Sequence, residues 1–330
     1  MQAQVRPENI LKELHELWVS LGEQAGGSES PGVLRACAMT LVVATSQAED
    51  APAVREVLAE LIREHPSRVI VLCLRQGAEP LLEARVTAEC WLPFGARQQI
   101  CCERIEISAG EANLPDLPSL LLALAAPGLP VVLWCRHAPL IEVAEFQPIA
   151  AVADKLILDS STCPEAGSIL RHMAGLPAVA DLSWTRLTGW REIIARLFDD
   201  AGRRKHLAGL AELHISYAGE AIPVGGYYLA AWVLSALGEI AIHFDAFSEP
   251  RPSESGVLGL MLAAPGWSVS VRQVDDSTVE TVVDSVRQRS ALPQRTEVSV
   301  LREELAIAGR DHVYDRVLRL AARMAGRQGR

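Results

Sequence analysis

Aromatic residues make up only 5% of the chain, and basic residues are in the minority, with 31 Lys and Arg against 41 Asp and Glu and a net charge of −10. That balance argues against a nucleic-acid partner, whose phosphates call for a basic surface. Phosphate-cradling glycine motifs are missing. GGSESPG at 26–32 lacks the GKS/T ending, and no GxGxxG stands between a strand and a helix. No HExxH or paired-cysteine spacing announces a metal, and no GxSxG turn raises a serine for attack. No cofactor is therefore expected, and the chain does not read as an enzyme. The N-terminal MQAQVRPENI has no apolar core of an export signal, and the seven cysteines form no CxxC. Both point to a reducing compartment, the cytoplasm, with thiols packed as small hydrophobes. Adjacent Cys101 and Cys102 fit that reading, since neighbours on a strand face opposite sides.

An uninterrupted apolar span is also missing. Leu117–Cys135 is uncharged but is broken by Pro127, Gly128 and Pro130. It reads as a short buried helix, a turn and a buried strand, not a membrane crossing. What remains is a folded α/β pattern, 49% hydrophobic and 22% charged over 330 residues, too long for one core. Ile10, Leu11, Leu14, Leu17, Trp18 and Leu21 form one helical stripe, followed by a flexible linker at 22–32. Continuous apolar runs at 40–45, 68–74 and 131–135 suggest parallel strands covered on both faces. The segments 84–92 and 98–108 alternate more, as antiparallel or edge strands do. Strands at 155–161, 213–219 and 239–244, helices at 166–174 and 226–237, a meander near 257–276 and a helical end at 299–326 follow. The expected organisation is an N-terminal helix and linker (1–33), an α/β domain (34–150) and a second α/β domain (151–330). Their mixed, partly parallel sheets are covered by helices.

Chemistry-bearing positions are few. Beyond the strand ends, where α/β sheets gather ligands, stand Thr45–Ser46, Arg136–His137 and Asp159–Ser160–Ser161. They offer a sugar-phosphate enzyme or sensor as the alternative function. Gly225–Gly226 opens a helix, and Arg203–Arg204–Lys205–His206 is a basic run, either a solvated turn or a dock for an acidic partner. The densest feature is DLSWTRLTGW (181–190), with two of the seven tryptophans. Trp190, Ile193, Ile194, Leu197 and Phe198 make an amphipathic stripe whose helix Thr188 or Gly189 can cap. Trp184 and Arg186 precede it, and both residue types dominate binding hot spots.

DLSWTRLTGWREIIARLFDD (181–200) resembles the signature segment of the glucose-6-phosphate dehydrogenase assembly proteins, the OpcA family. HPSRVIVL (65–72), GARQQICCERI (95–105), LPVVLWCRH (129–137) and LREELAIAGRDHVYDRVL (301–318) agree in the same order. The resemblance implies a non-catalytic partner that binds glucose-6-phosphate dehydrogenase, favours its assembled form and activates it allosterically, supporting the pentose phosphate pathway and NADPH supply. It implies no catalytic residues. Its matching positions, Trp184, Arg186, Trp190 and Arg191, are expected to serve partner recognition or scaffolding. Redox control, associated with cyanobacterial members, is not carried over, because no cysteine follows Cys163.

Overall fold

The computed structural model describes residues 5–25, 32–46, 51–75, 81–247, 256–307 and 309–328. Contacts divide the chain into Met1–Leu158 and Asp159–Arg330. Each is an α/β unit.

The first unit begins with α1 (Pro7–Ala25), whose stripe buries Ile10 and Leu14. The helix packs on its own unit. Trp18 Nε1 donates to Glu103 Oε1 at 2.5 Å, and Arg35 lies 5.3 Å from the same indole. Glu103 is a buried carboxylate that also holds Arg68 Nε at 2.6 Å, while Arg68 Nη1 donates to Leu124 O at 2.7 Å. A buried charge is tolerable only when so fully paired. Most of the expected linker, 26–31, lies outside the described residues.

Strands β1 (Gly32–Arg35) and β2 (Met39–Thr45), helix α2 (Ala51–Glu64), strands β3 (Ser67–Arg75), β4 (Leu82–Trp91) and β5 (Gln98–Gly110) follow. Helix α3 (Leu117–Leu124), strand β6 (Val131–Cys135), helix α4 (Gln147–Ala150) and strand β7 (Lys155–Leu158) complete the unit. The order β1-β5-β3-β2-β6-β7 is parallel throughout, and β4 lies antiparallel on the outer edge of β5. β2 and β6 are buried along their whole length, as their continuous apolar runs require. β5 alternates yet is internal and parallel to β3, because its polar positions are taken up by ion pairs such as Arg104 with Glu106 and Glu89. β7 pairs with β6, so the contact boundary falls at 158/159, where composition had suggested 150/151. The uncharged run at 117–135 is α3, a turn with Gly128 at φ +74°, and β6. Among the described residues no helix is long and apolar enough to cross a membrane.

One expectation is corrected. Cys90 and Cys101 face each other across the β4–β5 ladder, Cα atoms 4.1 Å apart, and form a disulfide. Opposite-facing neighbours remain the rule. Cys102 points to the other side as a buried free thiol, which burial pushes up to about 11. The pairing depends on strand register, which the cysteine spacing does not reveal. It removes two of the seven thiols on which the reducing-compartment reading rested.

The second unit opens with the turn Ser160–Thr162, helix α5 (Ala166–Met173), strand β8 (Val179–Asp181) and helices α6 (Leu182–Arg186), α7 (Thr188–Leu197) and α8 (Ala201–Arg204). Strand β9 (Glu212–Ala218), helix α9 (Val224–Leu237) and strand β10 (Ala241–Phe247) form a parallel crossover. The meander β11 (Val257–Ala264), β12 (Trp267–Asp275), β13 (Thr278–Val283) and β14 (Val286–Ala291) is antiparallel. Helices α10 (Glu297–Ala306) and α11 (His312–Gln328) end the unit. The sheet order is β10-β9-β11-β12-β13-β14. α9 is apolar nearly all round because it packs on β9, α5 and α11 together.

Candidate functional site

Asp181 ends β8 and caps α6, and these two facts organise the second unit. Its Oδ1 accepts from the backbone N–H of Ser183 at 3.0 Å, the N-cap bond, and from the N–H of Ser160 at 3.0 Å. Its Oδ2 accepts from Ser160 Oγ at 2.5 Å and from the Tyr228 hydroxyl at 2.7 Å. Tyr228 and Tyr314 place their hydroxyls 3.2 Å apart. Burial holds the Asp181 carboxyl above the ordinary 3.8, opposed by the Ser160 hydroxyl and reinforced by the nearby charge of Asp159. Burial likewise pushes both tyrosines well above 10.

Capping by Asp181 makes residues 182–186 helical, so Trp184 and Arg186, which precede α7 as the sequence suggested, lie on a short helix of their own. That helix turns inward. Trp184 is 3% exposed, edge-on to Tyr228 at 6.0 Å and 5.8 Å from Tyr314. Its Nε1 donates to Asp311 Oδ2 at 3.1 Å, and the Arg191 guanidinium sits 3.4 Å from its ring centroid. Burial lowers Arg191 to about 10, although the Asp311 and Glu303 charges oppose this. Trp190 is 2% exposed and fills the core side of α7. Direct contact of the Trp184 indole with another protein therefore gives way to an internal role. Apart from Arg191, the groups that enclose it come from α9, from α11 and from the Asp311 cap of α11, more than forty positions downstream.

Arg186 makes a two-pronged bond to Asp159, Nη1 to Oδ1 at 2.7 Å and Nη2 to Oδ2 at 2.6 Å. Burial alone would raise Asp159; the Arg186 bonds and charge, with the Ser161 donors, win and hold it below the ordinary 3.8. Arg186→Ala is therefore expected to cost about 3 kcal/mol at neutral pH, because it strands a largely buried carboxylate. A depressed carboxyl contributes stability above its unfolded-state value and loses it as pH falls through the folded one. The gap between the parent and Arg186→Ala in urea melts should thus close in acid. A gap of constant size from pH 7 to pH 3 would refute the pairing.

Other sequence candidates are also accounted for. Arg204 of the basic run donates to Phe198 O and Asp199 O, and Arg203 to Leu197 O, capping the carbonyls that end α7. His206 stacks on Trp267 at 4.5 Å. The run thus caps a helix end. Gly225 and Gly226 are buried inside α9, where a Cβ on Gly226 would meet Ile222 at 3.3 Å. Arg136 and His137 follow β6 in the first unit, and Thr45 is buried at the end of β2. Asp159 and Ser160 belong to the second unit, so the strand-end candidates do not form one cluster within either unit.

Sequence reasoning missed Asp181, Tyr228, Tyr314, Glu304 and Asp311. Thr185 Oγ1 donates to Glu304 Oε2 at 3.0 Å, and Asp311 accepts from the Val313 and Tyr314 N–H groups as the cap of α11. Two signals were present, the Asp-x-Ser cap at 181–183 and the Asp311 cap before HVY. Beside this hub lies a cleft of about 250 Å³ bounded by Arg186, Gly189, Glu192, Arg196, Asp276 and Gln294.

Comparison with known proteins places this architecture. Residues 58–175 match the model described as the glucose-6-phosphate dehydrogenase subunit N-terminal domain, and 177–318 match the corresponding C-terminal domain. A putative OxPP cycle protein OpcA of Synechocystis is 29% identical over 296 residues, covering 76% of this chain and 62% of that protein. Its Synechococcus elongatus counterpart is 31% identical over 191 residues, covering 55% of this chain and 42% of that protein. The chain thus spans roughly two-fifths to three-fifths of the length of these curated relatives. Among solved structures, an aldose-aldose oxidoreductase from Caulobacter crescentus aligns with 88% of this chain and 98% of its own, at 11% identity and a TM-score of 0.44. The two family domains meet within the stretch that leads into Asp181, and together they take in both hub and cleft. The chain belongs to the OpcA family.

Proposed function

We propose that this protein is a non-catalytic assembly factor and allosteric activator of glucose-6-phosphate dehydrogenase, acting in the cytoplasm to support NADPH supply. The observation that carries the reading is how the family's characteristic segment uses its polar atoms. Asp181, Ser183, Thr185, Arg186 and Arg191 bind one another and neighbouring helices of the second unit. Such a hub supports a rigid surface better than it serves a reaction. The outer flank of α7, with exposed Glu192 and Arg196 beside the cleft, is the proposed contact.

Activation needs little energy. A tenfold shift toward an active form requires about 1.4 kcal/mol of differential affinity, within reach of a few interfacial residues. Mixing the protein with the dehydrogenase of the same organism should give a heavier particle and faster NADPH formation. Unchanged mass and unchanged rate at saturating protein would end the proposal. The second reading, a sugar-phosphate sensor, draws on a hollow lined by Ser160, Ser161, Cys163 and Ser183 at the start of α9. Calorimetry with glucose 6-phosphate on the protein alone is expected to show no heat. Tight binding abolished by Ser161→Ala would favour the sensor instead.

A further inference from the structure

The open face of the second sheet carries a cluster that neither the hub nor the proposed function uses. β9 and β10 are parallel and in register, so His214 lies beside His243, and residues two apart share their face. Glu212 and Asp245 therefore join them. The two imidazoles stack with centroids 4.5 Å apart. His214 Nδ1 lies 3.2 Å from Asp245 Oδ2, and its Nε2 lies 3.5 Å from Glu212 Oε2. One donor atom from each of Glu212, His214 and His243 falls within 4.8 Å of the others.

From this geometry we infer a binding site for a divalent first-row transition-metal ion, with Glu212, His214 and His243 as ligands and Asp245 as a positioning residue. Asp245 takes the Nδ1–H of His214 and so leaves the Nε2 lone pair facing Glu212, the arrangement in which a carboxylate orients a metal-bound histidine. Two imidazoles and one carboxylate suit zinc, cobalt, nickel or copper; magnesium and calcium prefer oxygen donors only. Alternative explanations fit less well. A structural salt bridge would employ one histidine and one carboxylate, whereas here two stacked imidazoles sit between two acids on a solvent-facing sheet. Three protein ligands on an open face leave coordination positions for water or for a ligand from outside.

The test is a titration of the full chain, stripped of metal by chelator, with Co²⁺ followed by visible absorption. One ion per chain is expected, with bands of nitrogen and oxygen ligation and no thiolate charge-transfer band. His243→Ala should weaken binding by tenfold or more and Asp245→Asn by about tenfold, with circular dichroism unchanged because the side chains are on the open face. Absence of Co²⁺ binding, equal binding by His243→Ala, or a thiolate band that reports a cysteine site would each overturn the assignment.

Discussion

Truncating Trp184 to alanine will cost about 4 kcal/mol of stability, the usual range for removing a buried tryptophan. The indole is enclosed by Tyr228, Tyr314 and the Arg191 guanidinium, and its Nε1 donates to Asp311. Alanine leaves a cavity where three aromatic rings met and exposes Arg191, already desolvated, to the loss of its stacking face. Trp184→Phe keeps a ring and loses the bond to Asp311, so about 1–2 kcal/mol is expected. Chemical denaturation followed by circular dichroism measures both. A Trp184→Ala protein as stable as its parent, yet unable to associate with the dehydrogenase, would return this residue to the surface role the sequence suggested.

Asp181→Ala comes next, at about 4 kcal/mol. It removes one helix cap, strands the buried Ser160 and Ser183 N–H groups, and takes from the Tyr228 hydroxyl its carboxylate acceptor. Asparagine behaves differently. Its carbonyl can serve the two N–H groups while its NH₂ donates to the Ser160 and Tyr228 hydroxyls, which can also accept. Asp181→Asn is therefore expected to cost about 1 kcal/mol or less at pH 7, since it also relieves a carboxyl raised by burial. The pH dependence has the opposite sign to that of Asp159. A raised carboxyl contributes most below its unfolded-state value and loses that contribution as pH rises through the folded one. The parent should gain on Asp181→Asn as pH falls. Equal losses for alanine and asparagine would mean that the hydrogen bonds are not what holds this site.

Local pattern was legible where it answered to one element at a time. The stripe of α7, the fully buried β2 and β6, and the interrupted run at 117–135 all follow from periodicity and turn residues. Trp184 was misplaced because its environment is made at a distance. Asp311 is 127 residues away and Thr185's partner Glu304 is 119 away, beyond any local window. The Asp-x-Ser cap was visible at 181–183 but lost to the stronger apolar signal that starts at Trp190. The Cys90–Cys101 pair required the β4–β5 register, and register emerges only when the whole sheet is assembled. The histidine pair on β9 and β10 was hidden for the same reason.

The separation between Trp184 and its partners also sets a schedule. Domains emerging from a ribosome fold as units, the N-terminal one first. Strands β1 to β7 have all been made once Leu158 has appeared. The hub of the second unit cannot close then. Trp184 and Tyr228 must wait through the synthesis of the whole meander for Asp311 and Tyr314. During that interval two aromatic rings are without the groups that later enclose them. Nascent chains arrested between β14 and α11 should accordingly bind trigger-type chaperones or hydrophobic dyes, and lose that binding once α11 is clear of the exit tunnel.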